Sequence, residues 1–334
     1  MIFYVPLEHL DKRYTVDMDR LIDTELKKRS LPHERIKGVP LTQEIETGAF
    51  LDANSTSHFK FSQLATIAQL FQQKVVHNGD VFFFSDIWFP GIEAIKYMAL
   101  FNNLSVKVGG YCHAGSFTET DFVRELEGWV RDIEIGWFKM LDFVFVGSTF
   151  AKSELIEKKV PKYFNRIHVT GMPFDYNYVR SFAFKGKKRK EDIVVFTGRL
   201  DDEKQPWLFD KLKEKLPEYQ YIKTMEQKLS KKDYYKLLAR SKVVFSAALQ
   251  ENFGFGVIEA VTLGCIPVVP NDLSYREFFP SMYRYNVFPD AVEKVRYFMR
   301  NNTNYVHALT VKHNDNLSKA IDILERKIKN NSNF

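Results

Sequence analysis

Short apolar runs alternate with longer amphipathic stretches along the whole chain, and this alternation limits the fold more than any other feature. Residues 2–5 ("IFYV"), 81–85 ("VFFFS"), 104–111 ("LSVKVGGY"), 143–148 ("FVFVGS") and 167–171 ("IHVTG") read as buried strands, with helical candidates at 91–103, 121–136 and 150–158. The series restarts with strands at 193–198, 219–224, 243–249 and 265–270. Strands separated by helix-length segments imply parallel sheets joined by right-handed crossovers. Two such series predict an α/β chain of two doubly wound, Rossmann-like domains, and 334 residues are enough for two cores. The basic, polar stretch "FKGKKRKED" (184–192) marks the seam. The expected division is a first domain over 1–175, a linker over 176–192, a second domain over 193–305, and one or two C-terminal helices over 306–334 that pack back on the first domain. Residues 30–60 show no clear period and read as irregular, with an active-site loop as one use for them.

The totals exclude several classes. Cys112 and Cys265 are the only cysteines and lie in hydrophobic stretches, which rules out a disulfide scaffold and reads as buried free thiols. The run before Glu8 is too short for a signal-peptide core, and no run approaches the ~18 apolar residues of a membrane span. A soluble, cytoplasmic protein is therefore expected. A formal net charge of +6 is a mild push toward anionic partners, such as nucleic acid or phosphorylated ligands.

The stretch "ENFGFGVIEA" (251–260) places Glu251 and Glu259 on either side of Gly254 and Gly256, where a strand should pass into a helix. Ligands of open α/β sheets bind at that edge, against unsatisfied helix N–H groups. Glycines there let a phosphate or sugar approach the backbone. Glu251 can face the crevice, and Glu259, a turn inside the helix, can accept from a vicinal diol such as a ribose. The plainer alternative is a helix start with a Gly-rich turn and a solvated glutamate. A second segment, "FTGRLDDEKQPWLFDKL" (196–212), carries Arg199 and Lys204 in another strand-to-helix loop. A forked donor and a point charge can converge there on one anion, although solvated loop charges among Asp201, Asp202 and Glu203 would look the same.

Together "TGRLDDEKQP" and "ENFGFGVIEAVTLGCIPVVPN" resemble the C-terminal domain of retaining GT-B glycosyltransferases of the glycogen-synthase-like superfamily, with their E-x7-E motif. The match places Gly198, Arg199, Lys204, Glu251, Phe253, Gly254, Glu259, Ala260, Gly264, Pro267, Val268 and Val269 at family positions and covers roughly residues 193 to 275. The resemblance implies a GT-B fold with two Rossmann-like domains facing across a cleft. It also implies a nucleotide-diphosphate sugar as donor, a UDP-sugar foremost, and no required metal. Arg199 and Lys204 would neutralise the diphosphate leaving group, Glu251 would hold donor-sugar hydroxyls with the amides near Phe253 and Gly254, and Glu259 would bind the ribose.

The first half fits less well. The family's glycine-rich loop after the first strand is replaced by "VPLEHLDKRYT", which has no glycine; Arg13 and Thr15 are candidate phosphate donors, or exposed loop residues. "GGYCHAGSFTETDF" (109–122), read as carrying turn-like glycine pairs, brings His113 to a strand end. In related enzymes a histidine in this region touches the donor sugar; a structural role is the alternative. Asp86 is a candidate acceptor contact, and Trp88, Phe89 and Phe117 are either a stacking platform or core. The segments "VPLEHLDKRYT" and "FLDANSTSHFKF" resemble bacteriophage glycosyltransferases, some of which modify hydroxymethylated bases in DNA. Lys152, Lys158, Lys159, Lys162 and the 184–192 stretch could follow a phosphate backbone. Three functions stay open: transfer to modified DNA, transfer to a cell-surface polysaccharide or other glycan, and a catalytically silent binding module. The oligomeric state is not legible.

Overall fold

The computed structural model describes residues 1–9, 14–40, 53–119, 122–158, 165–183, 190–301 and 315–329. The chain divides into two compact units, Met1–Phe174 with Asp315–Phe334, and Asp175–Asn314.

The first unit is built on strands β1 (Ile2–Val5), β2 (His33–Arg35), β3 (Val81–Phe84), β4 (Lys107–Tyr111), β5 (Phe143–Val146) and β6 (Ile167–Val169). They form a parallel sheet in the order β2-β1-β3-β4-β5-β6. Strands β1, β3 and β5 are buried along their whole length, as a parallel sheet covered on both faces requires. The covering helices are α1 (Tyr14–Lys28), α2 (Ala53–Gln72), α3 (Glu93–Phe101), α4 (Glu127–Met140) and α5 (Thr149–Lys158). Phenylalanine fills this core: Phe3 stacks on Phe82 at 4.9 Å, and Phe82 on Phe71 at 5.9 Å.

Two expectations change here. Gly109 and Gly110 are not turn residues; they lie inside β4, and neither takes positive φ. A Cβ on Gly110 would sit 2.1 Å from the Phe84 carbonyl oxygen, and one on Gly109 2.7 Å from the Phe143 ring, so the glycines make room for the phenylalanine-bearing strands beside them. Residues 30–60 also contain regular structure, since β2 and the start of α2 fall within them, while 41–52 lie outside the described residues.

The second unit holds α6 (Tyr176–Arg180), β7 (Glu191–Phe196), α7 (Pro206–Lys215), β8 (Gln220–Lys223), α8 (Lys231–Arg240), β9 (Ser241–Phe245), α9 (Phe255–Thr262), β10 (Ile266–Pro270), α10 (Tyr275–Phe278), β11 (Arg284–Tyr285) and α11 (Phe288–Arg300). Its sheet, again parallel, runs β11-β10-β9-β7-β8. Residues 176–183, assigned to a linker from composition, include α6 and pack within this unit. Tyr178 and Phe182 set their rings against Tyr235 at 6.1 and 5.3 Å.

The last described helix, α12 (Asn316–Lys329), belongs to the first unit. Arg29, just past α1, holds it by donating to Asp322 (2.5 Å), Glu325 (3.0 Å) and Ser318 Oγ (2.5 Å). At its start Asn316 donates to the Met172 carbonyl (3.2 Å) and lies against Gly171, whose φ of +74° and lack of a side chain allow that approach.

Candidate active site

In both sheets the chain moves first to one side and then to the other, leaving a topological switch point beside the first strand. Open α/β sheets bind ligands at such points, beyond the carboxyl ends of the strands. In the second unit the strands flanking it are β7 and β9, and the loops that leave them are the two segments singled out from sequence.

Those loops are laced together. Glu203 accepts from Leu249 N–H through its carbonyl (2.7 Å), and Gln205, in the left-handed region at φ 50°, donates to the Ala247 carbonyl (2.8 Å). Lys204, only 12% exposed, donates to the Gln250 carbonyl and stands 3.4 Å from Glu251 Oε2. Arg199 and Lys204 converge on one oxygen, Glu203 Oε1, the arginine in direct contact and the lysine at 3.4 Å. Arg199 Nε also lies 3.2 Å from Asp201. The fork and the point charge therefore reach the same atom. Glu203, passed over in the sequence as one of several loop acids, is what they meet.

Glu251 Oε1 accepts from Gly254 N–H (2.8 Å), a local bond that orients the carboxylate at the start of α9. Gly254 sits at φ +79°, where a side chain is strained, and its Cβ would come 3.2 Å from the Tyr275 ring. The Gly256 position is filled from within the fold: a Cβ there would lie 2.8 Å from Thr197 Oγ1, so this glycine lets α9 pack on the end of β7. Phe253 is core, edge-on to Phe255 and Phe278. Gly198 lies under Lys204, whose Cβ would be 3.4 Å from an added methyl. Tyr275, buried and hydrogen-bonded to Ser246 Oγ at 2.9 Å, has its pKa raised by burial and by the nearby Glu251 charge.

Glu259 has separate partners. It is 9% exposed, and its two oxygens accept from the Tyr234 (2.9 Å) and Tyr235 (3.0 Å) hydroxyls of α8, with Lys231 Nζ at 3.5 Å. Burial, then the Glu259 charge, pushes the Tyr234 hydroxyl well above its ordinary pKa. A carboxylate offers about four lone-pair sites, so these three contacts leave capacity for a further donor. The alternation of apolar residues in α8 gave no sign of this tyrosine pair.

At the switch point of the first unit, His113 follows β4. Its Nε2 lies 2.8 Å from the Ser85 carbonyl, which can only accept, so Nε2 carries the proton; Nδ1, 3.0 Å from the Tyr14 hydroxyl, accepts in the neutral ring. Ser85 in turn meets the Tyr4 hydroxyl at 2.8 Å. The histidine thus ties the ends of β3 and β4 to the start of α1. Asp86 accepts from Trp88 N–H (3.1 Å) in a local turn, Phe89 and Phe117 are core, and Trp88 is partly buried and donates to Glu134 (3.0 Å). Thr15 is buried in α1, and Arg13 lies outside the described residues.

Of the basic stretch 184–192, residues 184–189 lie outside the described residues, as do Lys159 and Lys162. Lys190 is not a free surface charge. Its ammonium donates to the Leu238 carbonyl in the last turn of α8 (3.3 Å) and to the Leu263 carbonyl just past α9 (2.6 Å), and burial lowers its pKa. Both cysteines are buried, and among the described residues neither forms a disulfide. Among the described residues no group of three or more His, Cys, Asp and Glu is placed to hold a metal ion, and no helix is long and apolar enough to cross a membrane.

No family model matches the chain. A curated relative, the tRNA-queuosine alpha-mannosyltransferase of Drosophila melanogaster, is 36% identical over 72 residues, a stretch that makes up 22% of this chain and 19% of that protein. The match thus spans about a fifth of the relative's length. Solved structures match over nearly the whole chain. The catalytic domain of starch synthase IV from Arabidopsis thaliana, bound to ADP and acarbose, has a TM-score of 0.63 at 10% identity, covering 98% of this chain and 99% of its own. A UDP-forming trehalose-phosphate synthase from Burkholderia xenovorans has a TM-score of 0.64 at 10% identity, covering 100% and 99%. An alpha-glucosyltransferase in complex with UDP and a 13-mer DNA has a TM-score of 0.56 at 13% identity, covering 97% and 99%. The fold is that of the GT-B glycosyltransferases, with two Rossmann-like units on parallel sheets.

Proposed function

We propose that the protein is a retaining glycosyltransferase that moves a sugar from a nucleotide-diphosphate sugar, foremost a UDP-sugar, to a hydroxyl. The observation that carries the reading is the convergence of Arg199 and Lys204 on one oxygen, with Glu251 beside them, at the switch point between β7 and β9. Two cations that reach one anionic oxygen suit a diphosphate, and the adjacent carboxylate suits sugar hydroxyls. In the reaction the bond from the anomeric carbon to the diphosphate oxygen breaks, with its electron pair leaving on the phosphate. The acceptor oxygen bonds to the same face of that carbon, and its proton passes to the departing phosphate. Arg199 and Lys204 stabilise the developing charge, which makes catalysis chiefly electrostatic and positional and lets it run without a metal. Glu259 is assigned to the ribose and His113 to the donor sugar.

For the acceptor we favour a hydroxyl carried by a modified nucleoside within a nucleic acid, a hydroxymethylated base of DNA being the first case to try. The short match to a mannosyltransferase of tRNA queuosine supports this class of acceptor, as does the net charge of +6.

Melting curves against UDP, GDP, ADP and UDP-glucose, without added metal, test the donor reading. One nucleotide is expected to raise the melting temperature in the wild type and not in Lys204→Ala. No shift with any nucleotide moves a catalytically silent module to the front. Duplex or tRNA binding that weakens steeply with salt, and weakens further when Lys187, Lys188 and Arg189 are neutralised, is expected for a nucleic-acid acceptor. Absence of salt-dependent binding leaves the glycan acceptor.

A further inference from the structure

Strand β6 forms one edge of the first unit's sheet, and cations from several elements gather around it. The register of β4, β5 and β6 sets Lys107, Asp142 and Arg166 next to one another at the amino ends of those strands. Asp142 is already engaged: Lys96 Nζ donates to it at 2.7 Å, Val108 N–H donates at 2.8 Å, and Lys107 Nζ stands 3.9 Å away. Arg166 donates to the Lys139 and Leu141 carbonyls at the end of α4 (3.0 and 2.9 Å). Lys152 comes from α5, which packs on β5 and β6.

Helix α12 completes the group, and its charges are sorted by flank. Ser318, Asp322 and Glu325 turn to Arg29, while Ala320, Ile321 and Leu324 are buried. At 3.6 residues per turn, Lys319, Arg326 and Lys327 then fall on the flank away from α1. Lys327 links them to the strand ends: burial lowers its ammonium pKa, Asp142 opposes the shift, and Lys107 and Arg166 add to it. On β6 itself, burial first and then Lys327, Lys152 and Arg326 lower the pKa of His168. Among the described residues, neither Lys152 nor Lys327 is paired with a carboxylate.

Cations crowded in this way repel one another, and an anion that joins them removes the repulsion. A membrane surface would need apolar anchors beside the bases. Among the described residues, Val169 is the only exposed large apolar side chain on β6, α5 or α12. The geometry points to a binding site for the phosphate backbone of a nucleic acid along the β6 edge, formed by Lys107, Lys152, Arg166, Lys319, Arg326 and Lys327. It rests on the nucleic-acid acceptor reading above and adds a second contact with that substrate, away from the bond that forms. His113 stands past the carboxyl end of β4 and Lys107 at its amino end, about 17 Å away along a five-residue strand. A single nucleoside cannot cover that length. A folded RNA or a duplex can.

The test is a salt titration of binding on the full chain. It compares the wild type with a patch variant, Lys152→Gln/Arg326→Gln/Lys327→Gln. A control of equal net charge, Lys211→Gln/Lys213→Gln/Lys215→Gln, alters exposed lysines of α7 instead. Arg166 stays, because it holds the end of α4. The probes are bulk tRNA, a random-sequence DNA duplex of similar length, and vesicles of phosphatidylcholine and phosphatidylserine in equal parts; the first two separate RNA from DNA as the source of the backbone. The patch variant is expected to bind nucleic acid about tenfold more weakly than the wild type, with the slope of log K against log salt shallower by about 2–3, since each lost phosphate contact removes ~0.9. The control is expected to bind as the wild type does. A control that loses as much as the patch variant overturns the proposal. So does a patch variant that self-associates on gel filtration with its binding unchanged, because the cations then only guard an unpaired edge. Vesicle binding that the patch variant loses, with no nucleic acid bound, overturns it as well. A patch variant that binds like the wild type removes the patch and leaves the nucleic-acid acceptor in place. Nucleic acid that binds through the patch but accepts no sugar from any donor does the reverse.

Discussion

Replacing Glu259 with glutamine tests what that carboxylate does. The wild-type oxygens accept from two tyrosine hydroxyls at 2.9 and 3.0 Å in a buried setting. Glutamine keeps one acceptor and points an NH2 group at the other hydroxyl, so one O–H loses its charged partner and Lys231, 3.5 Å away, loses its counter-charge. Hydrogen bonds to charged groups contribute about 1.5–3 kcal/mol each, which sets the expected loss at roughly 2 kcal/mol. For a unit of this size that is a fall of about 4–8 °C in the melting temperature. The second half of the test is binding. If the spare lone pairs of Glu259 hold a ribose diol, the wild type prefers UDP over 2′,3′-dideoxy-UDP by about tenfold, the ~1.4 kcal/mol of one good hydrogen bond, and Glu259→Gln erases that preference. Melting curves and isothermal titration with both nucleotides read the two halves separately. A variant that melts within a degree of the wild type refutes the stability argument. A preference that persists in the variant refutes the ribose contact and leaves Glu259 as an anchor between α8 and α9.

Lys204→Ala should lose about 10²-fold or more in turnover, as for removal of one preorganised charge, with little change in melting because Glu251 keeps Gly254 N–H and Glu203 keeps Arg199; near-normal turnover would put the diphosphate elsewhere. Gly254→Ala forces a side chain into the left-handed region beside Tyr275 and should cost about 1–2 kcal/mol, read in denaturant melts. His168 gives a pH dependence. Burial first, then Lys327, Lys152 and Arg326, lower its pKa to about 4, so the fold favours the neutral ring. Its contribution is intact above the unfolded pKa near 6.5 and is lost as pH falls from there toward 4. After allowance for solvent screening, about 1 kcal/mol should disappear between pH 7.5 and pH 5, and His168→Gln should remove that part of the slope.

The alternation of apolar runs was enough to read two parallel-sheet units, because strands buried on both faces leave a continuous apolar signal. Edge strands β2 and β11 escaped it, being short and carrying His33, Glu34, Arg35 and Arg284. Helix α2 escaped for a different reason: Thr56, Lys60 and Gln63 occupy its inner face, so its burial does not show as hydrophobicity. Gly109 and Gly110 were misread as turns because a glycine that makes room for a neighbouring phenylalanine looks, in sequence, like one that bends the chain.

By itself, the sequence determined that Arg199, Lys204 and Glu251 would stand in strand-to-helix loops, since local periodicity places strand ends and helix starts. Only the tertiary structure decided that Lys204 and Glu251, 47 positions apart, meet, because that depends on β9 pairing with β7 rather than with β8. The same holds for Glu259 and its tyrosines, and for Glu8 and Thr56, 48 positions apart. Which polar groups find partners is set by the order of strands and the packing of helices upon them, and periodicity along one element carries no record of either.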